Sequence, residues 1–343
     1  MKKRFWALAC AGLMLLPAAG CGQQDPLTTE IYAMDTVMDL DAYGDAAQTA
    51  LDESEAEITR LENLFSRTKA DSEISKLNSA GGAPVAVDGE VADILRSAIE
   101  YSSATSGAFD VTVAPIVSAW GFTTDSYQVP DQAALDALLP AVGSDRIQVD
   151  GDTVTLGAGQ SVDLGGIAKG YASDQIAAIY RKCGVTSGKI YLGGNVWVCG
   201  SKPDGSPWRV AVQDPNDSQG QVGVLSLTDA FAITSGGYQR YFEQDGKIYH
   251  HIIDPSTGYP AESGLVSVTI VASEGYGTGT MCDTFSTALF VMGEEKAVEF
   301  WRSGRYDFNM VLVTSDNRVL VSDGIADQFE QSGGSDYTYE TIH

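Results

Sequence analysis

Three stretches hold residue types that could do chemistry. Residues 163–174 read DLGGIAKGYASD, an acid, paired glycines and a lysine ahead of a helical pattern. The turn at 163–166 would feed a helix N-terminus, whose free backbone N–H groups attract anions. The stretch matches neither the phosphate loop nor the dinucleotide fingerprint, because its glycines are differently spaced and no Ser or Thr follows Lys169. A phosphate cradle and a plain strand-to-helix corner both fit it.

The run YHHIIDPSTGYP at 249–260 carries His250 and His251; the only other histidine is the terminal His343. Neighbours on a strand point to opposite faces, so one of the pair can enter a pocket and serve as a base near neutral pH. A packed or surface pair fits equally. In CDTFSTALFVMG at 282–293, Asp283 and Thr287 are four apart and share a face near the start of a helix. Carboxylate and hydroxyl are hard oxygen ligands that suit Mg²⁺. A simple helix cap is the competing reading.

These residues need elements to position them. From 31 to 43 the chain has extended character, and Asp45 can cap a helix with Ala47, Leu51, Ile58, Leu61, Leu64 and Phe65 along its apolar face. A second helix is expected over about 90–103, ending at Gly107, and Asp131 can cap a short third one. RIQVDGDTVTL reads as a hairpin around an Asp-Gly turn. Strand-like runs follow at 189–194, 208–214, 246–254 and 265–272, with helices near 169–182, 283–292 and 294–302. No repeat or linker divides them. The fold class is α+β, with mixed or antiparallel sheets and packed helices.

The 343 residues can bury a large core. The first twenty form a signal peptide: Met-Lys-Lys-Arg, an apolar run too short to span a membrane, then PAAG before Cys21. PAAG-Cys resembles a bacterial lipobox, with Ala18 where Leu is usual, so Cys21 would carry lipid and residues 21–30 would be a tether. Ordinary cleavage near Ala19 is the alternative. The formal net charge of −25 makes nucleic acid and anionic lipid poor partners, and a phosphate site would need a metal or local cations. Outside the leader and Cys21, the cysteines are Cys183, Cys199 and Cys282, which indicate neither a disulfide framework nor a zinc site.

Taken in order, AMDTVM, DSEISKLN, SGAFDVTVAP, WGF, DLGGIAKGYASD, LGGN, SGGYQRYF, HIIDPSTGYP and DTFSTALFVMG resemble the ApbE family of FAD:protein FMN transferases, over roughly 31–322. The resemblance implies a two-lobed, T-fold-like single unit over 31–343. It implies Mg²⁺-dependent transfer of FMN from FAD to a Ser or Thr hydroxyl of an acceptor protein, with release of AMP. Asp283, Thr287 and the Gly166 carbonyl would hold the metal. FAD would meet Met34, Ala108, Phe109, Asp110, Asp163, Lys169 and Ile253, and His251 would be the base.

The implied acceptor is an envelope electron-transfer protein, met at the extracytoplasmic face of the membrane. Two departures stand out: Thr68 where some relatives carry an aromatic that stacks on the flavin, and Ser286 where some carry a second Asp. An FAD pyrophosphatase giving FMN and AMP, or a non-catalytic FAD-binding lipoprotein, are the alternatives.

Overall fold

The computed structural model describes residues 25–124, 126–332, 334 and 336–343. The signal peptide and Cys21 lie outside the described residues. A hairpin of β1 (Leu27–Ala33) and β2 (Thr36–Ala42) leads to α1 (Ala47–Phe65) and α2 (Glu73–Ser79). Next come β3 (Val85–Ala86), α3 (Gly89–Ala104), α4 (Ala114–Ala119), α5 (Gln132–Leu138), β4 (Gln148–Asp150), β5 (Thr153–Thr155) and α6 (Ala168–Cys183). Strands β6 (Ser187–Leu192), β7 (Asn195–Gly200), β8 (Trp208–Asp214), β9 (Asp217–Leu227) and β10 (Ala230–Gly236) follow, then the hairpin β11 (Tyr241–Gln244) and β12 (Lys247–His250). After β13 (Leu265–Ser273), α7 (Thr278–Met292) and α8 (Glu294–Arg302), the chain ends with β14 (Asn309–Thr314), β15 (Arg318–Ser322), β16 (Phe329–Gln331) and β17 (Thr338–Ile342).

Nine strands form one sheet in the order β1-β2-β6-β7-β10-β13-β14-β15-β17, antiparallel except for the β15–β17 pair. This is the mixed α+β architecture expected. Its central strands are apolar on both faces because each face meets a different core. Val268, Ile270, Met310 and Leu312 pack toward the helices, while Val271, Val311 and Val313 pack toward the small β16-β9-β8 sheet. A third cluster of Ile116, Trp120, Phe122, Leu135 and Ile253 ties α4 and α5 to the β11–β12 hairpin and builds a smaller lobe.

The helix expected over 90–103 is α3, and its start is capped by Asp88, whose carboxylate accepts from Glu90 N–H at 2.9 Å. Four other expectations are corrected. Asp45 does not cap α1; the Ala47 N–H bonds the Gly44 carbonyl instead. Asp131 stands at the start of α5 but contributes its backbone carbonyl, not its carboxylate. The expected tether is too long, because Leu27 already pairs with Ala42 in the sheet. Helix α7 starts five residues before Asp283, so that residue lies in the second turn and is no cap.

Capping of α7 falls to Asp174 on α6, which accepts from Gly279 N (2.7 Å), Thr280 N (2.8 Å) and Thr280 Oγ1 (2.6 Å). Burial pushes its carboxyl up to about 6 against the pull of those donors. The two helices meet through glycines: a Cβ on Gly170 would stand 2.3 Å from the Gly279 carbonyl oxygen and 2.6 Å from Asp283 Cβ. Gly170→Ala is therefore expected to lose roughly 1–3 kcal/mol of stability, as overpacked cores do. Urea unfolding checks this; an unchanged midpoint would mean that the helices can part without cost.

Candidate active site

A cleft of about 840 Å³ opens between the helix-covered sheet and the smaller lobe. Every residue that the family resemblance assigns to the site lines it. Met34 comes from the β1–β2 turn, Ala108, Phe109 and Asp110 from the segment after α3, and Asp163, Gly166 and Lys169 from the corner entering α6. His251 and Ile253 follow β12, and Asp283 and Thr287 project from α7.

At the α6–α7 end, the Asp283 side chain is only 4% exposed. Its Oδ2 accepts from Gly170 N–H at 2.8 Å, and its Oδ1 lies 3.9 Å from Lys169 Nζ. The α6 N–H expected to be free for an anion is thus held by a carboxylate of the protein. One turn on, Thr287 presents a hydroxyl beside Gly166, where a Cβ would come within 3.4 Å of Thr287 Oγ1 and 3.1 Å of the Phe109 ring.

Asp283 Oδ1 is a buried anionic oxygen whose nearest cation stands beyond hydrogen-bond range, and a buried charge needs a counter-charge. With the Thr287 hydroxyl and the Gly166 peptide nearby, the donors are all hard oxygens. They fit Mg²⁺, which takes few protein ligands and keeps waters or phosphate oxygens for the rest. Ser286 is fully buried and donates to the Asp283 carbonyl at 2.8 Å, so it adds no carboxylate beside Asp283.

The histidines separate cleanly, because β12 ends at His250. His250 spends both ring nitrogens on backbone, with Nε2 to the Ala261 carbonyl (3.1 Å) and Nδ1 from Ile252 N–H (3.3 Å), and packs edge-on against Phe290. His251 lies in the cleft wall with Nδ1 3.1 Å from the Arg240 carbonyl. A carbonyl only accepts, so Nδ1 carries the proton and Nε2 keeps a lone pair. Burial pushes the pKa of His251 down to about 4, so the imidazole is neutral at physiological pH.

Several functional contacts were not legible in the sequence. Arg67 pairs with Asp163 at 2.6 Å, so that carboxylate is already neutralised. Glu62 accepts from Met34 N–H at 3.0 Å and also binds Lys69. Met34 and Asp35 both adopt left-handed backbone, with φ of 49° and 60°, a costly turn for non-glycine residues at the cleft edge. Arg240 holds His251 by its carbonyl and lies 3.8 Å from Asp35.

Asp110 lines the cleft with its carboxylate already engaged. Its carboxylate accepts from Thr112 N, Ser144 N (both 2.8 Å) and Ser144 Oγ (2.6 Å), so it braces the cleft wall. Thr68 stands in the wall with no ring to stack on a flavin. Cys183, Cys199 and Cys282 are free thiols.

Comparisons with known proteins place the chain in a family. The model of the ApbE family matches residues 34–312. The FAD:protein FMN transferase of Vibrio cholerae is 32% identical over 326 residues, spanning 91% of this chain and 95% of that protein. Its counterpart in Klebsiella pneumoniae is 33% identical over 270 residues, spanning 77% and 82%. The crystal structure of the ApbE protein from Thermotoga maritima superposes with a TM-score of 0.78 at 32% identity, covering 90% of this chain and 97% of that one. The flavin transferase ApbE from Vibrio cholerae gives 0.76 at 27% identity, covering 92% and 98%. The chain belongs to the ApbE family of FAD:protein FMN transferases.

Proposed function

We propose that this flavin transferase joins FMN from FAD through a phosphoester to a Ser or Thr hydroxyl of an acceptor protein, with Mg²⁺ in the site and AMP as the leaving product. The observation that carries the reading is His251, a neutral imidazole with Nε2 free in the same cleft as Asp283 and Thr287. Asp283, Thr287 and the Gly166 carbonyl would hold Mg²⁺, and Met34, Ala108, Phe109 and Ile253 give the cleft apolar surface for a flavin. When bound, Mg²⁺ supplies Lewis-acid neutralisation of the diphosphate.

The chain's own residues do the rest. Lys169 and Arg240 sit 3.9 and 3.8 Å from their acidic partners, a loose pairing that leaves charge for phosphate oxygens. His251 Nε2 takes the proton of the acceptor hydroxyl as its oxygen attacks the FMN-side phosphorus. The bond from that phosphorus to the bridging oxygen breaks, and AMP leaves with that oxygen. The leader and Cys21 support a lipid-anchored enzyme on the extracytoplasmic face of the membrane, serving an envelope electron-transfer protein.

Incubation with FAD, Mg²⁺ and a candidate acceptor tests the whole reading. Transfer gives a fluorescent acceptor band on a denaturing gel; free FMN alone would make the protein a hydrolase, and intact FAD a carrier.

His251→Ala is expected to keep FAD binding and to lose about 10²- to 10⁴-fold in transfer, the usual worth of a positioned base. Near-parental flavinylation by that variant would remove His251 from the mechanism. Because the neutral imidazole is the active form and its pKa is lowered, the acid limb of kcat/KM is expected well below the ordinary histidine value of 6.5, toward about 4. A limb at or above 6.5 would contradict it.

Asp283→Asn keeps an acceptor for Gly170 N–H but removes the charge. It is expected to abolish Mg²⁺-dependent turnover with the fold intact by circular dichroism; parental Mg²⁺ dependence would reduce Asp283 to a structural group.

A further inference from the structure

We propose that Ser235 is a positioning residue that decides which side of the Thr287 hydroxyl meets the metal. The inference rests on the Mg²⁺ reading of the α6–α7 corner. Ser235 lies near the end of β10, lines the cleft, and reaches across to α7.

Two short contacts connect β10 to α7, and together with a third inside α7 they have a single direction. Ser286 Oγ stands 2.8 Å from the Asp283 carbonyl, which can only accept, so the one Ser286 proton is spent there. Ser235 Oγ lies 2.7 Å from Ser286 Oγ, which has no proton left, so Ser235 donates to it. Ser235 Oγ also lies 3.1 Å from Thr287 Oγ1, and with its own proton committed it must accept from Thr287. The Thr287 proton therefore points toward β10, and its lone pairs are left for a cation.

The far end of the chain is sealed, since Ser286 is fully buried and does not line the cleft. No water can compete for its proton. Without Ser235, nothing holds the Thr287 proton back from the cation position. Without Ser286, the Ser235 proton turns to Thr287 and the direction reverses. One cleft-lining serine and one buried serine would thus orient the hydroxyl ligand beside Asp283.

Mn²⁺ is the probe, its free concentration read by electron paramagnetic resonance on the full mature protein. Ser235→Ala is expected to weaken Mn²⁺ binding by about tenfold or more, the usual cost of losing a partner that orients a ligand. Ser286→Ala is expected to shift it the same way from outside the cleft, and Ser235→Thr to restore it. The apparent Mg²⁺ activation constant should rise in step, while FAD affinity without divalent ions and kcat at saturating Mg²⁺ change less.

Parental Mn²⁺ affinity in both alanine variants, with binding lost in Asp283→Ala, would overturn the hydroxyl chain and leave the Mg²⁺ reading standing. Mn²⁺ binding that is absent from the parent, or unaffected by Asp283→Ala, would overturn both. If Ser235→Ala does not fold, Ser286→Ala decides alone.

Discussion

The separation of α6 and α7 is set by two glycines that face each other. Packed helices usually keep 8–10 Å between axes because side chains fill the seam. Here Gly170 and Gly279 put backbone against backbone, with no room for a Cβ on either. That proximity brings the Gly170 N–H to Asp283 and the Asp174 carboxylate to the first turn of α7. Helix geometry then carries Thr287 one turn beyond Asp283, on the same face. Helix α7 also packs on β10 and β13, so the sheet, the helix pair and the oxygens of Asp283 and Thr287 share one frame.

The same frame answers an electrostatic difficulty. A chain with formal charge −25 repels a dinucleotide, yet cations converge on the cleft. Arg67 and Lys69 are each tied to an acid within the wall, which fixes the wall's shape and removes net charge there. Lys169 and Arg240 are held more loosely. Any protein cation that a diphosphate would meet in the cleft therefore comes from these side chains in its own wall.

Much of the architecture was legible because it follows periodicity. The α1 and α3 faces, the hairpin at 148–155 and the central strands all read directly from apolar spacing. The helix caps were not, since Asp45 and Asp131 have the right residue type but the backbone satisfies those turns itself, and the cap of α7 comes from another helix. The site residues were named through ordered motifs, and the fold gathers them from segments as far apart as Met34 and Thr287. What spacing alone could not supply were pairings across the fold, such as Arg67 with Asp163 and Glu62 with Met34. Asp174 was the nearest miss: it sits inside the quoted motif, but only the α6–α7 contact gives it a purpose.

The imidazole of His251 is oriented by a peptide carbonyl, and every amino acid at position 240 has one. Side-chain change at that position can therefore proceed without disturbing the imidazole. The side chain at 240 can change in size and charge, and Nε2 of the imidazole keeps its place while it does.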